Sequence, residues 1–172
     1  MVKVWDPFVR LFHWATAIAF LTNFWIIQDG IVHEWLGYGV ACLLVSRFVW
    51  GWVGSRHARF ADFFPTPGRL KRYLGQLLRG RHEPSIGHNP LGGLMIITLM
   101  LVLAGITLTG WFMTLDMFWA VAWPEEVHEF LANVAQGLVF IHVAVVLLMD
   151  VIFKEGLVRA MITGKKQSIE PE

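Results

Sequence analysis

Of the seven histidines in the 172-residue chain, His128 and His142 fall within one long apolar run, where an ionisable ring is costly without a partner. They are fourteen residues apart, which is almost four helical turns. On a helix both rings therefore leave from nearly the same face, ~21 Å apart along the axis. His13, in "RLFHWATA", lies a turn or so into the first apolar run, and His33 opens the second. If successive runs cross a membrane in alternating directions, His13 stands level with His142 and His33 with His128. Such a set offers two imidazoles at each of two depths. Paired imidazoles fill both axial positions of a haem iron and leave no open site for oxygen, so the chemistry expected is outer-sphere electron transfer.

Zinc fits less well, because it wants three or four ligands at one depth. Cys42 is the only cysteine and lies inside an apolar run, which leaves no Cys-based metal site and no C-x-x-C-H for covalent haem attachment. The expectation is two b-type haems without thioethers, one held by His13 and His142, the other by His33 and His128. Against it stands the reading that each His only makes an interhelical hydrogen bond or is solvated near an interface. Arg47 follows His33 by fourteen residues and shares its face. Its planar donor fork suits a propionate of the haem nearer the cytoplasm, with snorkelling to lipid headgroups as the competing role. His57, His82 and His88 lie in a basic loop and are expected at the surface.

The elements that would position these side chains are legible from composition. Apolar residues make up 56% of the chain, with nine Trp and thirteen Phe, and mean hydropathy is +0.56, all beyond a soluble globular average. Apolar runs at about 8–27, 31–53, 90–114 and 125–153 each reach the ~20 residues a membrane helix needs. The first lacks a small-residue cleavage site after it and is read as a retained helix. The fold class expected is all-α: one integral membrane domain, a four-helix bundle spanning 1–172, with a loop at 54–89 and a polar, disordered tail at 164–172. Within the loop, "PTPGRLKRYLGQLLRG" puts Leu70, Tyr73, Leu74, Leu77 and Leu78 on one face, the pattern of an amphipathic helix in the headgroup region. Asn89 and Pro90 mark the start of the third helix, and Pro124 the fourth.

Net charge is only +1, but its distribution is one-sided. Lys3 and Arg10 stand at the start, seven Lys and Arg from Arg56 to Arg81 fill the loop, and Lys154, Arg159, Lys165 and Lys166 follow the last run. The positive-inside rule places both termini and the loop in the cytoplasm of a bacterial inner membrane. The opposite face carries Asp29, Glu34, Asp116, Glu125 and Glu126 with no Lys or Arg. Gly92, Gly93, Ala104, Gly105 and Gly110 give the third helix a lean surface for close packing. The tryptophans near helix ends, Trp14, Trp25, Trp35, Trp50, Trp52, Trp111, Trp119 and Trp123, read as an aromatic belt.

The opening "VWDPFVRLFHW", the "HEWLGYG" start of the second helix, "GHNPLGG" before the third and the two histidines of the fourth resemble the bacterial cytochrome b561 family, which includes b-type cytochrome subunits of nickel-iron hydrogenases. The resemblance covers nearly the whole chain. It implies a four-helix di-haem membrane protein with His13, His33, His128 and His142 as axial ligands. It further implies membrane lipid and quinone as partners, with a periplasmic electron carrier such as a c-type cytochrome or a hydrogenase; no nucleic acid is expected. Some members resemble superoxide oxidase, which passes electrons from superoxide to ubiquinone. An acidic outer face repels an anionic substrate and favours a basic protein partner. A non-redox anchor subunit is the third alternative.

Overall fold

The computed structural model describes residues 1–80 and 87–166; Arg81 and His82 of the basic loop, and residues 167–172 of the tail, lie outside the described residues. The helices are α1 (Pro7–Trp25), α2 (Gly30–Val53), α3 (Phe60–Phe63), α4 (Pro67–Leu78), α5 (Pro90–Met113), α6 (Trp123–Phe153) and α7 (Leu157–Thr163), with short 3-10 turns at Arg56–Ala58 and Asp116–Phe118. Among the described residues the one departure from an all-α chain is β1 (Val2–Lys3), paired antiparallel with β2 (Lys165–Lys166).

Local chemistry sets the helix starts. Asp6 caps α1 by accepting from the Val9 N–H at 2.8 Å, and Pro7 follows it where its missing N–H costs nothing. Asn89 repeats the arrangement for α5, its Oδ1 taking the Gly92 N–H at 2.7 Å ahead of Pro90. Three helices, α2, α5 and α6, are long and apolar enough to cross a membrane. Their outward side chains include Phe48, Leu101, Phe140 and Val151, all more than half exposed, a surface that suits lipid and not water. The 19-residue α1 falls below that apolarity because Arg10, His13 and Asn23 interrupt it. The closest backbone packing runs α5 along α6, α1 along α2 and α2 along α5.

One end, called inner here, gathers both termini and the basic residues, and it is closed by small elements the sequence did not announce. Val4, Trp5, Val9, Ala58 and Ala160 form a buried cluster there, with Trp50 and Met161 against it. Asp6 joins α1 to α2, since its Oδ2 accepts from Trp50 Nε1 at 3.0 Å and from the Ser55 hydroxyl. Burial pushes the Asp6 carboxyl up, but hydrogen bonds from Ser55, Trp50, Val9 and Phe8 outweigh it, and its pKa lies below the usual value. Trp50 is thus a structural tie between α1 and α2.

Lys154 and Gly156, both at positive φ, turn the chain out of α6. Asp150 then caps α7 through the backbone N–H groups of Leu157 (2.6 Å) and Val158 (3.1 Å). The Gly164 carbonyl accepts from Val4 and Trp5, Lys166 forms a buried ion pair with Glu155, and Arg10 donates to the Ile162 carbonyl. The first residues of the expected polar tail, Gly164 to Lys166, are therefore folded against the N-terminus. Their backbone pairs with β1, an attraction that polarity alone does not reveal.

Two glycines let α3 wedge into this end. A Cβ on Gly51 would stand 2.1 Å from the Phe60 ring, and one on Gly93 would stand 2.4 Å from the Phe63 carbonyl oxygen. The lean start of α5 thus receives α3. Helix α4 packs on α5 with Tyr73 buried, while Leu74 and Leu78 remain exposed.

Candidate functional site

The four histidines of the apolar helices meet in two pairs. His13 of α1 and His142 of α6 have ring centroids 6.3 Å apart; His33 of α2 and His128 of α6 have theirs 6.1 Å apart. The rings are tilted by 55° and 58°, and all four are partly buried. Each pair bridges α6 to a helix that does not pack closely on it, since α6 lies along α5. Among the described residues no three His, Cys, Asp or Glu side chains converge, so the donors come two by two.

At the outer pair, backbone carbonyls hold both rings. His33 Nδ1–H donates to the Ile27 carbonyl at 2.8 Å, and His128 Nδ1–H donates to the Ile106 carbonyl at 2.9 Å. A carbonyl only accepts, so each Nδ1 carries the proton and each Nε2 presents its lone pair. Thr109, itself bonded to the Gly105 carbonyl at 2.8 Å, stands 3.3 Å from His128 Nδ1. Asn23 Nδ2 donates to the His33 carbonyl at 3.1 Å, fixing α1 to the start of α2. A Cβ on Gly110 would lie 3.2 Å from His128 Cε1, so this glycine makes room for the ring.

The inner pair is surrounded differently. His13 Nδ1 is buried without a hydrogen-bond partner, and its ring meets Trp14 edge-on at 5.0 Å. Arg47 is only 2% exposed: one guanidinium nitrogen donates to the Ala58 carbonyl at 3.0 Å, while Nη1 is buried with no partner. Phe60 and Phe63 lie against it at 5.5 and 5.9 Å. This burial removes the snorkelling role, because the guanidinium is sealed under α3 and cannot reach headgroups.

His88 also departs from expectation. It is no surface residue: its ring packs on Trp5 at 4.3 Å and on Phe63 at 5.0 Å, and its Nδ1 is buried with no partner. Burial first, then the positive charge of Arg47, pushes its pKa down to about 3, so the ring is neutral near pH 7. His57 is bonded to Asp62 at 3.1 Å, close under Gly87. The sequence signal for His88 was present in "GHNPLGG", since a residue just ahead of a helix cap is fixed in place by that cap.

Spans that suit a bilayer define the class: a multi-pass membrane protein, with two histidine pairs between its helices. Residues 4–164 match the family described as prokaryotic cytochrome b561, and the chain belongs to that family. It is accordingly a haem b protein of electron transfer. Similar proteins include probable Ni/Fe-hydrogenase B-type cytochrome subunits of Rhizobium leguminosarum bv. viciae (24% identical, covering 96% of this chain and 88% of that one) and Bradyrhizobium diazoefficiens (22% identical, 96% and 86%). The probable subunit of Azotobacter vinelandii is 26% identical over 59% of this chain and 54% of its own. No solved structure matches the chain significantly.

Proposed function

We propose that the chain is a di-haem b-type cytochrome that carries electrons across the membrane between the quinone pool and a periplasmic redox partner. One observation carries the reading, the spacing of the histidine pairs. With imidazole nitrogen to metal bonds of about 2.0–2.1 Å, two rings on opposite sides of one metal have centroids roughly 6 to 6.5 Å apart. The pairs stand at 6.3 and 6.1 Å. The proton on Nδ1 of His33 and of His128 leaves Nε2 as the ligating atom, the usual arrangement for a metal-bound histidine. Haem iron held by two imidazoles exchanges single electrons without binding oxygen. Arg47 Nη1, a buried donor without a partner, fits the carboxylate of an inner haem propionate.

The four long helices are read as a membrane bundle with both termini cytoplasmic and α4 in the headgroup region, on the strength of the one-sided Lys and Arg. Exposed Asp29, Glu34, Asp116, Glu125 and Glu126 at the outer end favour a basic protein partner over superoxide. The hydrogenase in the names of the relatives makes a hydrogenase one candidate for that partner. Haem-to-protein ratio and a reduced-minus-oxidised spectrum of the purified protein test the proposal. Two low-spin b haems per chain are expected, and a ratio of one, or none, refutes it.

A further inference from the structure

His88 has no part in the reading above, yet it is built into the inner end as carefully as Arg47. Asn89 caps α5 and so fixes the residue before it. Trp5, which is 6% exposed, and Phe63, which is 3% exposed, pack against its ring. Phe63 also lies against the Arg47 guanidinium, so the two side chains share one aromatic neighbour. Gly93 exists to admit the Phe63 backbone, and Gly87 to admit His57. Trp5, on which His88 packs, and Ala58, to which Arg47 donates, belong to the one buried cluster that closes the inner end, so His88 and Arg47 lie at that end together. Arg47 Nη1 and His88 Nδ1 are therefore buried nitrogens without partners at the same end, as are Arg10 Nε and His13 Nδ1. Leaving a buried donor unpaired costs about 1–3 kcal/mol; Arg47 Nη1 is such a donor, and a neutral imidazole donates from Nδ1 in one of its two tautomers, so one carboxylate with two oxygens would satisfy both.

We infer that His88 is a haem-anchoring residue: its Nδ1–H donates to a propionate carboxylate of the inner haem, alongside the free Nη1 of Arg47. The ligand class is a carboxylate, and the carboxylates a b-type haem brings to this end are its propionates. A neutral imidazole supplies one donor and adds no charge, whereas Arg47 supplies the charge. The pair would hold the macrocycle against rotation while the axial histidines hold its iron.

The inference rests on an inner haem at His13 and His142, and the test separates the two. In the holoprotein, His88→Phe keeps an aromatic ring between Trp5 and Phe63 but removes the donor; His88→Gln keeps a donor. Redox titration of both haems should show His88→Phe lowering the potential of the inner haem alone. The expected change is about tenfold in its reduction equilibrium, or about 59 mV for a one-electron couple. His88→Gln should recover much of it. Unchanged potentials, or equal shifts at both haems, overturn the inference while leaving the di-haem reading intact. Retention of both haems in His13→Ala would instead remove the inner haem from that position. Should His88→Phe fail to bind haem, redox-difference infrared spectra with ¹³C-propionate haem decide between wild type and His88→Gln. A shifted carboxylate band supports the hydrogen bond, and an identical band overturns it.

Discussion

The outer and inner histidine pairs share a spacing but not a setting. At the outer pair, the Ile27 and Ile106 carbonyls orient both rings, so the peptide backbone itself fixes the tautomers. At the inner pair, His13 Nδ1 has no such partner, and Arg47, His88 and Arg10 at that end also hold buried nitrogens without partners. On the di-haem reading proposed above, the two pairs would complete the same donor set in two ways. One would rely on neutral acceptors that aim the rings, the other on donors for the carboxylates of a propionate. The outer site should respond most to changes that move a ring, and the inner site to changes that remove a charge or a donor.

The largest effects should come from the ligands. Replacing His33 or His128 with Ala should remove the outer haem, and replacing His13 or His142 the inner one, taking the haem-to-protein ratio from two towards one. If the same haem vanishes in His13→Ala and His33→Ala, as read by potential and low-spin EPR signal, the pairing is wrong and the comparison collapses.

Next in size is a steric test of the outer pair. Gly110→Ala places a methyl 3.2 Å from His128 Cε1, tighter than ordinary contact, so the ring must shift by a few tenths of an ångström. The outer haem's EPR signal should change, with the inner signal unaltered. Gly137→Ala on α6 meets nothing within 4 Å and serves as the control. It should be neutral or stabilising by about 0.5–1 kcal/mol, the usual gain of Ala over Gly in a helix.

The inner pair should be the more sensitive to charge. Arg47→Leu should lower the inner haem's potential, because loss of a cation beside a propionate favours the oxidised iron. Hydrogen bonds to charged groups are worth about 1.5–3 kcal/mol, which corresponds to roughly 60–130 mV for one electron. A shift shared equally by both haems would show that Arg47 acts on the whole fold and not on one site.

How far the sequence carries this comparison depends on the range of the interactions involved. Helical arithmetic alone sets His128 and His142 on one face, and Asn89 with Pro90 marks the start of α5, because both follow from neighbours along the chain. Arg47 is different. Its sequence position is equally consistent with a lipid-facing and a buried guanidinium, and what buries it is Phe60 and Phe63, brought over it by a wedge that Gly51 and Gly93 admit. His88 reads as a loop residue because its cover, Trp5, is 83 positions away in the chain. Likewise the pairing of Val2–Lys3 with Lys165–Lys166 joins two short polar segments that carry no periodicity. Local patterns specify the spans; the inner closure is written in contacts between distant pieces.

The smallest expected effect lies at the outer surface and concerns the partner. Glu125 and Glu126 are exposed in the first turn of α6, close to His128 in sequence, and the outer end has no Lys or Arg to offset them. A basic c-type cytochrome used as probe should therefore exchange electrons fastest at low salt. Its rate should fall as the screening length contracts from about 30 Å at 0.01 M to about 8 Å at physiological strength. Changing both residues to Gln should slow the reaction at low salt and leave the rate at high salt nearly unchanged, because screening has already removed their contribution there. Superoxide should behave oppositely, gaining from the loss of two like charges. A rate with the basic cytochrome that ignores both salt and the substitutions would detach the acidic surface from partner choice. Fast oxidation of superoxide by the unmodified protein, coupled to quinone reduction, would give the outer site to a small anion despite its charge.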